Sequence, residues 1–115
     1  MELEITPDII IRHGDPIAIS YSNGMIVGLF RSYGRTLQYY YFLTRPQEPN
    51  GLGRYYNQEF MNNYMDSLRQ GKGPRQSYIY GDSIKNRILP ISMDIYKGTK
   101  LYEEYELVKR IINEH

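Results

Sequence analysis

The chain has no cysteine and no tryptophan, and Ala18 is its single alanine among 115 residues. Without cysteine, disulfide frameworks, thiol catalysis and thiolate metal sites are all excluded. The same absence fits a cytoplasmic location. Histidine is almost as scarce: His13 and the C-terminal His115 are the only two. No apolar run approaches the roughly 20 residues that a membrane-spanning helix needs, so no membrane segment is expected. Met1-Glu2-Leu3-Glu4 has neither a basic region nor an apolar stretch, so it does not read as a signal peptide. Charge of one sign is lacking too. The formal net charge is +1, which calls for neither a polyanionic nor a strongly cationic partner.

What is present is distinctive. Thirteen tyrosines and abundant isoleucine suit the codons of an AT-rich genome, such as that of a thermophilic archaeon or one of its viruses. The length suits one domain with one core. Charge is unevenly spread. Residues 1–30 set Arg12 against Glu2, Glu4, Asp8 and Asp15 for a net of −3, and residues 31–75 hold seven basic and three acidic side chains for +4. The middle third is therefore where an anion would be met.

Periodicity and punctuation place the elements. Asp8–Arg12 is a short β-branched run ended by His13-Gly14-Asp15-Pro16. Ile17, Ile19 and Tyr21 alternate with smaller residues up to Asn23-Gly24, a pair suited to a two-residue hairpin, and Met25–Arg31 returns. That turn predicts Tyr21 opposite Ile26, Ile19 opposite Gly28 and Ile17 opposite Phe30. The reverse face, with Ala18, Val27 and Leu29, is also apolar, so a helix or a neighbouring subunit is expected to cover it. Ser32–Arg35 reads as a turn and Thr36–Thr44 as a third strand of this sheet. A loop over 45–53 precedes a helix at 54–70, with Tyr56, Phe60, Tyr64 and Leu68 on one stripe, closed by Gly71. Gln76–Tyr80 and Ser83–Ile91 are expected to pair around Gly81-Asp82, and Ser92–Tyr96 to add a short strand. Leu101, Tyr105, Val108 and Ile112 mark a C-terminal helix at 99–114. The fold class is α+β: a small, strongly bent antiparallel sheet or partly open barrel with an inserted helix and a C-terminal one.

Chemistry-bearing patterns are few. His13-Gly14-Asp15 is the one arrangement resembling an acid/base pair, and a turn in which Asp15 bonds local backbone accounts for it. Gly51-Leu52-Gly53 and Gly71-Lys72-Gly73 are too short and wrongly flanked for a phosphate-binding loop. Catalytic, metal and cofactor sites are not expected. The tyrosines are more suggestive. Tyr40 projects from the face opposite Tyr39 and Tyr41, and Tyr78 and Tyr80 share a face. Rings on a sheet beside Arg31, Arg35, Arg45, Arg54, Lys72 and Arg75 suit base stacking with phosphate contact. As amphipathic core filler the same rings need no ligand.

Ile17–Phe30, with its Asn-Gly turn and its strand glycine, resembles the first motif of Sm-like (LSm) proteins, and Ser77–Ile84 resembles the second. Where that family carries RNA-contacting Asp and Asn, this chain has Gly34 and Gln38, and Tyr80 stands for the motif arginine. The resemblance implies a bent five-stranded barrel, assembly into a ring, and RNA binding. A Src-homology-3 type of barrel shares the same local signals. The leading expectation is a non-enzymatic, homo-oligomeric module for RNA or single-stranded nucleic acid. Arg35 would contact phosphate, Tyr40 and Tyr80 would stack, and Gln38, Gly81 and Asp82 would meet base edges. The alternative is a protein-interaction adaptor, such as a viral inhibitor of a host factor.

Overall fold

The computed structural model describes residues 2–21, 24–51, 57–80 and 83–114. The chain divides into two compact units, Met1–Tyr41 with Arg75–Ser92, and Phe42–Pro74 with Met93–His115.

The first unit is β-rich. Its chain opens with a hairpin that the composition had hidden: β1 (Glu2–Thr6) pairs antiparallel with β2 (Ile9–Arg12), placing Leu3 opposite Ile11. Glu2-Leu3-Glu4-Ile5 has the alternation of a half-buried strand, and its charges merely occupy the outward positions. The His13-Gly14-Asp15 segment is a tight connection. Gly14 takes a φ of 88°, Asp15 Oδ2 accepts from the Arg12 N–H at 2.8 Å, and Gly14 and Phe30 exchange further backbone bonds with this corner.

Five more strands form one antiparallel sheet: β3 (Pro16–Tyr21), β4 (Gly24–Tyr33), β5 (Thr36–Tyr41), β6 (Gln76–Tyr80) and β7 (Ile88–Pro90). Their order is β6-β5-β4-β3-β7. The chain therefore runs as a four-strand meander and then crosses to add β7 beside β3. Three expectations are corrected here. The β3–β4 register sets Tyr21 opposite Gly24, Ile19 opposite Ile26 and Ile17 opposite Gly28. Gly24 is thus a ladder residue, and Asn23 lies outside the described residues. This pairing joins two β-branched side chains, Ile19 and Ile26, where the expected one would have left Ile19 beside a glycine. The slip is of two residues, so every side chain keeps its predicted face. Second, residues 76–80 and 83–91 do not pair with each other. β6 lies on β5, and β7 lies on β3. Third, a 3-10 helix at Ile84–Arg87 takes up the first half of the expected second strand. One such turn puts both Ile84 and Ile88 into the core.

That core gathers Leu3, Ile11, Ile17, Ile19, Phe30, Leu37, Tyr39, Ile84 and Ile88 on one face of the sheet. Ala18, Val27, Leu29 and Tyr40 on the other face are buried too.

The second unit is helical. Helix α1 (Gln58–Arg69) starts at Asn57, whose Oδ1 accepts the Phe60 N–H at 2.8 Å. It ends as predicted at Gly71, with φ 79°, where the Lys72 N–H returns to the Ser67 carbonyl. Residues 54–56 of the expected helix lie outside the described residues. The buried stripe runs through Met61 and Leu68, and Phe60, expected on it, is exposed. Met93–Tyr96 is a 3-10 helix, not a strand. Helix α2 (Lys100–Asn113) is capped by Thr99, whose Oγ1 accepts from the Tyr102 N–H. Arg69 ties the two helices together, bonding Asp66 on its own helix at 2.7 Å and Glu103 on α2.

Candidate functional site

The β5–β6 ladder pairs Thr36 with Tyr80, Gln38 with Tyr78 and Tyr40 with Gln76. These six side chains share one face, and Leu37 and Ile79 turn to the core on the other. Because β6 is an edge strand, its outward residues have a neighbour on one side only. Tyr78 and Tyr80 are 58% and 72% exposed, with ring centroids 5.3 Å apart in an edge-to-face contact at 87°. Two large aromatic surfaces are thus held side by side in water, with nothing in the core requiring them.

Cations border them. Within residues 24–41 and 75–80, Arg31, Arg35 and Arg75 are the charged residues, and none is acidic. Arg31 sits at the irregularity that β4 makes against β5 between Phe30 and Ser32. From there its Nη1 donates to Gln38 Oε1. That contact engages the amide oxygen, and the amide –NH2 is a donor group. Arg35 is exposed in the turn between β4 and β5.

The sequence-predicted residues separate accordingly. Arg35, Gln38 and Tyr80 lie along this edge. Gly81 and Asp82 lie outside the described residues. Tyr40 is corrected: it is on the predicted face, but it is 8% exposed and offers no open ring for stacking. Its hydroxyl meets His13 Nε2 at 3.3 Å and its ring stands edge-on to the imidazole. His13 and Asp15 therefore go to different partners. Tyr78 and Arg31 complete the arrangement. The i, i+2 spacing of Tyr78 and Tyr80 was the available signal for the first; Arg31 was already among the cations expected beside the rings, and the bulged register adds its contact with Gln38.

A second centre, in the helical unit, was not among the residues expected from the sequence. Glu104 is fully buried on α2, and its carboxylate accepts the Leu43 N–H at 2.7 Å and the Thr44 N–H at 3.0 Å. These bonds draw residues 42–44 away from the strand expected to continue to Thr44, so β5 ends at Tyr41. Burial pushes the Glu104 carboxyl up to about 7, although the Thr44 hydroxyl and both amides favour its ionised form. The signal was a glutamate at an apolar position, between Leu101 and Val108 on the stripe. Among the described residues, no group of three or more His, Cys, Asp or Glu side chains could hold a metal ion. No described helix is long and apolar enough to cross a membrane.

Comparison with known proteins finds no matching family model, no matching curated protein and no matching solved structure.

Proposed function

We propose that the β5–β6 edge binds single-stranded nucleic acid, RNA or DNA, on a small barrel of Sm-like type. The exposed Tyr78–Tyr80 pair carries this reading. Each ring can stack one base, Arg35 and Arg31 supply phosphate contacts, and the Gln38 amide meets a base edge. The sheet order, a four-strand meander with a fifth strand added beside the first, supports this reading. Both outer strands, β6 and β7, keep an unpaired edge within this sheet, and through these edges further copies of the chain would join.

Fluorescence anisotropy with labelled single-stranded RNA, single-stranded DNA and duplex DNA tests the proposal. Stacking on a tyrosine is worth about 1–3 kcal/mol per base, so Tyr78→Ala and Tyr80→Ala are each expected to weaken binding by roughly 5- to 150-fold. Arg35→Ala should lower affinity for every sequence alike and flatten the salt dependence by about one phosphate's share. Equal affinity for duplex, or no binding at low salt, would overturn it.

Leu89, exposed on β7, favours a second reading as a protein-interaction adaptor. In that case Arg35→Ala and Tyr80→Ala leave partner binding intact, and Leu89→Asp abolishes it.

A further inference from the structure

We propose that Glu104 is a proton-controlled latch: in its neutral form it holds the Phe42–Thr44 segment against α2, and loss of the proton releases that segment locally. The geometry is that of a clamp. One side chain from the second turn of α2 takes two consecutive backbone N–H groups from a segment 60 and 61 residues away in sequence. Leu43 and Thr44 are buried and have left the sheet, so these amides depend on the clamp for a partner.

The clamp has no counter-ion among the described residues. On α1, Asp66 and Arg69 are bonded to each other, and Arg69 also to Glu103. Asp94, in the 3-10 helix before α2, pairs with Lys97. On α2 itself Lys100 and Glu103 are exposed. What Glu104 meets is Thr44 and the two amides, and burial outweighs all three in setting its ionisation. A neutral carboxyl puts no buried charge there. Its carbonyl oxygen accepts one amide N–H, and its hydroxyl oxygen accepts the other more weakly through a remaining lone pair. A carboxylate in the same place is a buried charge held by dipoles alone, and the inexpensive response is to open and hydrate it.

Opening exposes a carboxyl of ordinary acidity, near 4.5, while the closed form keeps its proton to about 7. The ratio of open to closed therefore grows with pH across that window and levels off above it. Amide hydrogen exchange followed by NMR tests this on the wild-type protein. Protection of the Leu43 and Thr44 amides, corrected for intrinsic exchange, is expected to fall by about 80-fold between pH 4.5 and 7, and by about 300-fold from well below to well above that window. At each pH they should also exchange faster than the amides at the centre of β4. Glu104→Gln keeps the shape without the titration and should make protection independent of pH. Thr44→Val retains the carboxyl but loses the hydroxyl that favours ionisation, so the fall should still begin near 4.5 but extend to higher pH. A carboxyl carbon titrating near 4.5 would overturn the latch. So would pH-independent protection, or protection at Leu43 and Thr44 equal to that of the central strand.

Discussion

Replacing Glu104 with alanine is expected to destabilise the protein by about 4 kcal/mol, a large share of what a domain of this size has to lose. The Leu43 and Thr44 N–H groups would be left buried without an acceptor, at about 1–3 kcal/mol each, and the lost methylene and carboxyl would leave a cavity. In urea the midpoint should fall steeply with little change in slope, and the thermal midpoint by something on the order of 15–25 °C. Glu104→Gln should cost less, because its amide oxygen still serves one of the two donors. The effect has a defined pH dependence. The folded state holds this proton more tightly than the unfolded chain does, so the stability due to the tighter proton binding is fully present below about pH 4.5 and is lost as pH climbs to about 7. The span corresponds to about 3 kcal/mol, and the alanine variant should lack it. A Glu104→Ala protein within about 0.5 kcal/mol of wild type at pH 5 would mean that these amides have another acceptor.

The same glutamate marks where sequence reasoning fails. Periodicity located α2 to within a residue at each end, because Leu101, Val108 and Ile112 repeat at helical spacing. A charged residue on that stripe is invisible to a pattern search for apolar positions. It becomes meaningful only when a segment 60 residues earlier arrives with two unpaired amides. Strand faces were legible because alternation survives a two-residue slip, whereas the β3–β4 register was not. It depends on which side chains meet across the pair, and cross-strand packing decides that. The candidate site divides along the same line. Tyr78 and Tyr80 were readable as sharing a face, since that follows from their spacing alone. That Tyr80 is open and Tyr40 is closed follows from strand order, with β6 at an edge and β5 inside. Strand order is set by where the chain returns, and local pattern carries little of it. The expected hairpin of residues 76–80 with 83–91 failed for this reason. Its turn signal at Gly81-Asp82 is local, but both strands find better partners elsewhere in the sheet.

Gly28 shows what the strand order demands of one residue, and Gly28→Ala is expected to cost about 3–5 kcal/mol. In the sheet it lies between Ile17 on β3 and Tyr41 on β5. A Cβ there would stand 2.4 Å from the Tyr40 carbonyl oxygen and 3.1 Å from Tyr39 Cδ2. The tyrosine ring could give way, but the carbonyl could not. It belongs to a strand bonded to β4 on one side and β6 on the other, and moving it breaks ladder bonds on both. Gly34 provides the contrast, because a Cβ added there meets nothing within 4 Å. Gly34→Ala should therefore be neutral, or stabilising by up to about 1 kcal/mol through a less flexible unfolded chain. Thermal and urea unfolding of the two variants separate close packing from a general intolerance of substitution. Gly28→Ala should also reach the proposed binding edge. Pushing β5 outward moves Gln38 and the strand on which Tyr78 and Tyr80 stand, so nucleic-acid affinity should fall together with stability even though Gly28 touches no ligand. If Gly28→Ala proves as stable as Gly34→Ala, the two strands do not approach as closely as the sheet requires, and the placement of the tyrosine pair fails with it.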